Sequence, residues 1–327
     1  MRFLPTDEQR DFARSLDAML SAADTPLAIR AWAAGDPGPG RAVWRRLGEA
    51  GVFALAAPEA YEGVGPLPVE LAHALVESGR HAVPGPLVET VAATALLAEL
   101  AELGEPVPAK RLLPGLVGGA ATATLALAPD ALALDPDAAD VLLVVDGEEL
   151  RLAPGHGGLR ISSDPVRRLA RPAPGGERLA AGPAVVAAAR AARRWALLAT
   201  AAQSLGVGLA LLDRTVTYAR QRTQFGAPIG SFQAVKHRLA DTLVALEFAR
   251  PLVFGAALTF ERADLAAAKA TAGEAAYAAA GTALQIHGAL GYTEELDLSL
   301  WLRKARPLRD AWGTPSWCRA EVIAASS

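Results

Sequence analysis

The chain of 327 residues has a single cysteine, Cys318, which excludes an intramolecular disulfide framework and a cysteine-built zinc site. It has no charge excess: 32 Lys and Arg stand against 35 Asp and Glu, a formal net charge of −3, so no broad basic field calls for nucleic acid or a membrane surface. Lysine is scarce, occurring only at Lys110, Lys236, Lys269 and Lys304. The opening stretch MRFLPTDEQRDF has no basic segment leading into an apolar run, so no secretory signal is expected. Longer apolar stretches read as broken by Arg, Asp or Gly before they could span a bilayer, so no membrane insertion is expected and the cytoplasm is the expected compartment. The five histidines, His73, His81, His156, His237 and His287, form no i,i+4 pair, and no metal site is expected.

What is abundant is alanine and leucine at helical spacing. Thr6 and Gln9 make a capping-box pattern ahead of an amphipathic run to Leu20, with Asp7 and Glu8 where a helix dipole favours acids. Further helices are expected over Arg41–Ala50 (stopped by Gly51), over Val69–Ser78 after Pro66 and Pro68, and over Pro86–Leu103. The pattern then changes. TATLALAP alternates with period two, and VLLVVDGEELRLA places Asp146-Gly147 between short strand-like runs, a hairpin signal. Helical character returns at Ala184. A long run over Val185–Arg222 is apolar on most faces, which predicts burial between other helices. Pro228 and Gly230 break the chain, Ser231 reads as the N-cap of a helix from Phe232 past Phe248, another helix spans Asp264–His287, and Thr293 reads as the cap of a last helix to Arg306. The expected fold is mainly α with a small β domain: residues 1–117 helical, 118–183 β, and 184–327 a four-helix domain.

The chemistry concentrates in YARQRTQFGAPIGSFQAVKHRLAD. Arg222 ends a long helix beside a turn, and its planar five-donor fork suits a pyrophosphate better than a lone carboxylate. Phe225 offers a flat apolar surface, Gly226 and Gly230 allow close backbone approach, and Gln233 supplies an amide. Taken alone, these residues could equally be a loop-anchoring Arg and a core Phe. A second cluster, LQIHGALGYTEE, again sets an amide, Gln285, before a glycine turn at Gly288 and Gly291, with Tyr292 following.

Together with PEAYEGVG (58–65) and VESGRHAVPGPL (76–87), these stretches resemble the acyl-CoA dehydrogenases, flavin enzymes that desaturate acyl-CoA thioesters between the α and β carbons. The resemblance implies an N-terminal helical domain, a central β domain and a C-terminal four-helix bundle. It implies FAD as cofactor, contacted by Arg222 at the pyrophosphate and by Phe225, Gln233, Gln285, Gly288 and Thr314. It further implies an acyl-CoA substrate and an electron-transfer flavoprotein as acceptor. Ala289 stands where the family has a second glycine. Desaturation needs a desolvated carboxylate to remove the α-proton. The family's Glu precedes Gly-Thr after the last long helix, where this chain has Trp312, Gly313 and Thr314; the alternative slot, on the helix before R-x-x-F-G, falls at Ala196. Neither residue accepts a proton. The hydroxyl-bearing loops that hold the flavin ring are also missing from the β region, although DPVRRLARP survives.

This pattern is similar to the short, base-lacking subunits of actinobacterial heteromeric acyl-CoA dehydrogenases, several of which act on steroid side-chain CoA thioesters. It implies a homologous Glu-bearing partner subunit. Two other readings remain open at this point: a self-sufficient enzyme with Asp310 as base, and a flavin-free acyl-CoA-binding scaffold. Arg193 and Arg194 could meet CoA phosphates or form a solvated helix face, His287 could touch the cofactor, and Cys318 reads as structural.

Overall fold

A computed structural model describes residues 4–325; Met1–Phe3, on which the expectation of no secretory signal partly rests, and residues 326–327 lie outside the described residues. The chain forms two compact units, Ala18–Leu71 with Val83–Ala199, and Met1–Asp17 with Ala72–Ala82 and Thr200–Ser327.

The first of these is mixed α and β. Helices α2 (Thr25–Ala33), α3 (Gly38–Glu49), α5 (Leu87–Glu102) and α6 (Pro106–Val117) accompany a sheet of β1 (Ala123–Ala126), β3 (Val141–Asp146), β4 (Glu149–Leu152) and β7 (Glu177–Ala181), in the order β1-β3-β4-β7. A smaller sheet joins β2 (Ala133–Leu134), β6 (Arg168–Ala170) and β5 (Arg160–Ile161). The hairpin is where the sequence places it, but Asp146 ends β3 opposite Glu149, so Gly147 and Glu148 form the turn, Gly147 at φ 59°. β1 departs from its alternating pattern. It pairs parallel to β3 and is buried along its whole length, because a parallel strand is covered on both faces.

A buried polar knot fixes this unit. The fully buried Trp32 donates its indole N–H to Asp135 Oδ2 at 3.2 Å, and the Arg168 backbone N–H donates to Asp135 Oδ1 at 2.9 Å. The Arg168 side chain donates to Asp137 at 2.9 Å and to the Trp32 carbonyl. Burial pushes the Asp135 carboxyl up to about 7, against the pull of the Arg168 contacts. The surviving Arg of DPVRRLARP is thus a structural tie.

The second unit is helical, apart from a two-stranded hairpin at the end of α7. It contains the start of α1 (Asp7–Ser21), the end of α4 (Pro68–Arg80), α7 (Pro183–Gln221) from Thr200, α8 (Gln233–Thr259), α9 (Arg262–His287), α10 (Leu298–Asp310) and α11 (Pro315–Ala325). The capping box is formed as read: Gln9 N–H donates to Thr6 Oγ1 at 3.2 Å and Thr6 N–H to Gln9 Oε1 at 2.9 Å. Two predicted caps are not. Ser231 Oγ donates to the Pro228 carbonyl and Phe232 is the residue before α8. Thr293 Oγ1 donates to the Leu290 carbonyl, and α10 begins only at Leu298 after Asp297. The expectation that Arg, Asp or Gly breaks every apolar stretch short of membrane-spanning length fails at α7, whose residues 195–212 contain no charged side chain and only Gly206 and Gly208 as breaks. α7 and α8 are both long and apolar enough to cross a membrane; the apolar window of α7 is 100% buried within the protein and that of α8 33%.

Glycine sets how closely α7 is approached. A Cβ at Gly206 would lie 1.9 Å from the Val76 carbonyl oxygen, one at Gly79 2.2 Å from the Gln203 carbonyl oxygen, and one at Gly208 3.2 Å from Ala276 Cα. These are backbone contacts that no rotamer change relieves. Gly206→Ala gains about 1 kcal/mol of helix propensity but forces an overpacking that costs about 1–3 kcal/mol or more, so its thermal midpoint falls. Gly255→Ala in α8, whose Cβ would meet nothing within 4 Å, keeps the propensity gain and its midpoint holds or rises. Calorimetry on the two variants side by side checks this, and equal midpoints would contradict the packing argument.

Candidate functional site

The end of α7 leads directly into β8 (Thr223–Gln224) and β9 (Ala227–Pro228), paired antiparallel with Thr223 opposite Pro228 and Gln224 opposite Ala227. Phe225 and Gly226 form the two-residue turn, with φ 54° and 79°, the doubly positive geometry that Asn-Gly usually supplies. A phenylalanine in this region carries strain on the order of 1–2 kcal/mol, and its ring is 94% exposed. Core packing therefore does not explain its presence there; the ring meets Phe232 edge-on, with centroids 6.3 Å apart. Arg222 is exposed, and its guanidinium has no ion-pair or hydrogen-bond partner among the described residues; only its backbone is tied, by Ile229 N–H donating to its carbonyl at 2.8 Å. Gln233 is exposed at the start of α8.

The second cluster closes α9. Gln285 is exposed in the last turn, and Gly288 ends the helix at φ 59°, ψ −135°, a conformation that favours glycine. Ala289 and Tyr292 face solvent, Tyr292 at 79%. The structure brings the two clusters together through a contact that sequence reasoning missed: Tyr218 stacks on His287 with centroids 4.1 Å apart and planes 23° apart. His287 is buried, its Nδ1 donates to the Ala283 carbonyl at 2.8 Å, and burial lowers its pKa. It buttresses the two turns from behind, whereas sequence reading allowed it a cofactor contact. An unpartnered guanidinium fork, a solvent-facing ring and free amides at adjoining helix ends suit a ligand with phosphate and flat aromatic parts.

Neither base slot carries a titratable group. Ala196 is a buried methyl inside α7. Trp312 is part-buried at φ 60° in the turn between α10 and α11. Asp310 is exposed and accepts from Arg309 Nε at 3.1 Å, the reverse of a desolvated base. Thr314 is exposed, and its hydroxyl accepts the Trp317 N–H at 3.3 Å, capping α11, which leaves its proton free to donate. The turn hangs on Lys269, a fully buried lysine of α9 whose Nζ donates to the Arg309 carbonyl at 2.8 Å and the Gly313 carbonyl at 3.2 Å. Burial pulls its pKa down to about 8, opposed by Cys318 and Asp310.

Beside the Tyr218–His287 stack opens a cavity of about 490 Å³, lined by Arg80, His81, Asp213, Arg214, Asp297 and Tyr218 among others. Arg80 pairs with Asp213 at 2.9 Å, and its carbonyl accepts the indole N–H of Trp301 at 2.8 Å. Arg214 lies over the Trp301 ring, 3.7 Å from its centroid.

Lys269 is protonated in both folded and unfolded chains below about pH 8, where burial of its charge costs stability. Between about 8 and the ordinary lysine value of about 10.4, only the unfolded chain holds the proton, so this cost is progressively relieved. Relative to Lys269→Met, the wild-type chain therefore gains stability as pH rises through that window. Denaturant melts at pH 7.5, 9 and 10 measure it, and a flat difference would contradict a buried ammonium.

The acyl-CoA dehydrogenase N-terminal domain family matches residues 6–120 and the C-terminal domain family residues 182–326. Acyl-CoA dehydrogenase IpdE2 of Mycobacterium tuberculosis is 34% identical over 304 residues, covering 92% of each chain. Among solved structures, the Tcur3481-Tcur3483 steroid ACAD aligns with a TM-score of 0.85 at 24% identity, covering 98% of this chain and 99% of that one. The ChsE4-ChsE5 complex from Mycobacterium tuberculosis aligns at 0.82 and 25% identity, covering 99% and 98%. With end-to-end similarity in sequence and fold, the chain belongs to the acyl-CoA dehydrogenase family.

Proposed function

We propose that this chain is the subunit of a FAD-dependent acyl-CoA dehydrogenase that lacks the catalytic carboxylate and completes the cofactor site of a homologous, Glu-bearing chain. The observation that carries the reading is a mismatch within one chain. Arg222, Phe225, Gln233 and Gln285 are outward-facing, Phe225 touching its own chain only edge-on at Phe232, while the base slots hold Trp312 and Ala196. Relatives whose printed names join two components, Tcur3481-Tcur3483 and ChsE4-ChsE5, support it. So does α8, where Val244, Phe248 and Leu252 recur every fourth residue at 52%, 70% and 43% exposure, an apolar stripe that a partner subunit would cover.

FAD, when bound, supplies the acceptor for the hydride leaving the β-carbon of an acyl-CoA thioester. The work of this chain is binding and orientation. Arg222 holds the pyrophosphate through its fork, Phe225 packs against the cofactor from a rigid turn, Gln233 and Gln285 donate from their amides, Gly288 admits close backbone approach, and Thr314 donates its hydroxyl proton. Removal of the α-proton falls to the Glu of the partner. Asp310, exposed and held by Arg309, is given no part in that step. We assign residues 1–117, 118–183 and 184–327 to the three family domains, the cytoplasm as compartment and electron-transfer flavoprotein as acceptor.

A flavin absorbance spectrum tests the reading. The chain purified alone is expected to be colourless, and co-expression with a homologous Glu-bearing chain is expected to yield one FAD per pair. Stoichiometric flavin in the lone chain would establish a homomeric site instead. In the complex, Arg222→Ala lowers FAD affinity about tenfold or more, since a charged, bidentate donor pair contributes about 1.5–3 kcal/mol. Unchanged occupancy would remove Arg222 from the site. Trp312→Glu by itself confers no dehydrogenation.

A further inference from the structure

Three potential metal ligands converge at the edge of the cavity, outside the cofactor surface. Glu77 and His81 are four residues apart, in the last turn of α4 and one residue beyond it, and so project from one face. Asp17 reaches them from α1. One ligand atom from each residue lies within 4.8 Å of the others, and His81 Nε2 stands 2.7 Å from Asp17 Oδ1. The side chains of Glu77 and His81 are 15% and 16% exposed, so their orientations are fixed by packing, while Asp17 is half open at 52%.

The charge around them is not balanced. Arg80 is the nearest cation, but its Nε is 3.5 Å from Glu77 Oε2 and its Nη2 is committed to Asp213 at 2.9 Å. The cavity lining holds Asp17, Asp213 and Asp297 against Arg80 and Arg214. Burial, reinforced by Asp17 and opposed by Arg80 and Arg250, pushes the Glu77 carboxyl up to about 7.

We propose that Asp17, Glu77 and His81 form a binding site for a first-row divalent cation, with zinc as the first candidate. Two carboxylate oxygens and an imidazole nitrogen are a donor set that zinc accepts. The cavity, which Asp17 and His81 line, leaves room for the waters that complete the coordination shell. The cation cross-links α1 to the end of α4. The site does not depend on the flavin reading.

The test uses the full chain, stripped with a chelator and titrated with Zn²⁺ against a fluorescent indicator, with bound metal counted by mass spectrometry. The expected result is one zinc per chain, a rise in thermal midpoint with added zinc, and release on acidification, since metal ligands must be deprotonated to bind. Glu77→Gln and His81→Gln should each weaken binding at least tenfold, whereas His237→Gln, at an exposed position elsewhere, leaves it unchanged. Absence of a saturable one-to-one isotherm in the wild-type chain overturns the proposal without reference to any variant. Binding at undiminished strength in both ligand variants overturns it as well.

Discussion

The geometry of the helical unit rests on how near other backbones can come to α7. Val76, Gln203 and Ala276 occupy the space where side chains would stand at Gly206, Gly79 and Gly208. α9 meets this demand along its buried face with alanine at 266, 268, 272, 276, 279 and 283. Small residues on both sides allow dense backbone packing, and this fixes where the helices end. The ends matter most: α7 and α9 finish side by side, so the Tyr218–His287 stack can form and the two turns are carried on rigid elements rather than on a wandering loop.

The unit's buried polar groups act as ties. Lys269 gathers the carbonyls at both ends of the Trp312 turn, and Trp301 fastens the last residue of α4 while supporting Arg214. None of these contacts requires a substrate. The Trp312 turn is thus fully supported by its own chain. Phe225 and Trp312 share a left-handed backbone that bulky residues avoid. Such strain persists only where the surroundings over-determine it, as Lys269 does at the second position and the β8–β9 pairing does at the first.

Legibility in the sequence followed the range of the interactions. The capping box at Thr6, the hairpin near Gly147 and the clusters at Arg222 and Gln285 are set by residues a few positions apart, and each was readable. α2 and α6 went unrecognised because prolines at their starts, and Pro114 within α6, look like loop punctuation. α11 escaped because Gly313 and Pro315 read as an ending, although Thr314 is a sound cap. Lys269 gave a faint sign, a lysine in an alanine run with Leu265 and Gly273 rather than acids at i±4, but its carbonyl partners lie forty residues and more along the chain. His81 stands beside carboxylates of two different helices, a grouping that leaves no histidine pair in the sequence to read.

The apolar stripe of α8 has a consequence for the life of the polypeptide before any chemistry. Val244, Phe248 and Leu252 lie open on a chain that is otherwise well packed, and open apolar surface is what chaperones retain and aggregates recruit. A cell making this chain in excess of whatever covers the stripe would lose the surplus to turnover or precipitation. Matched rates of synthesis would then govern its abundance as firmly as its own folding stability does.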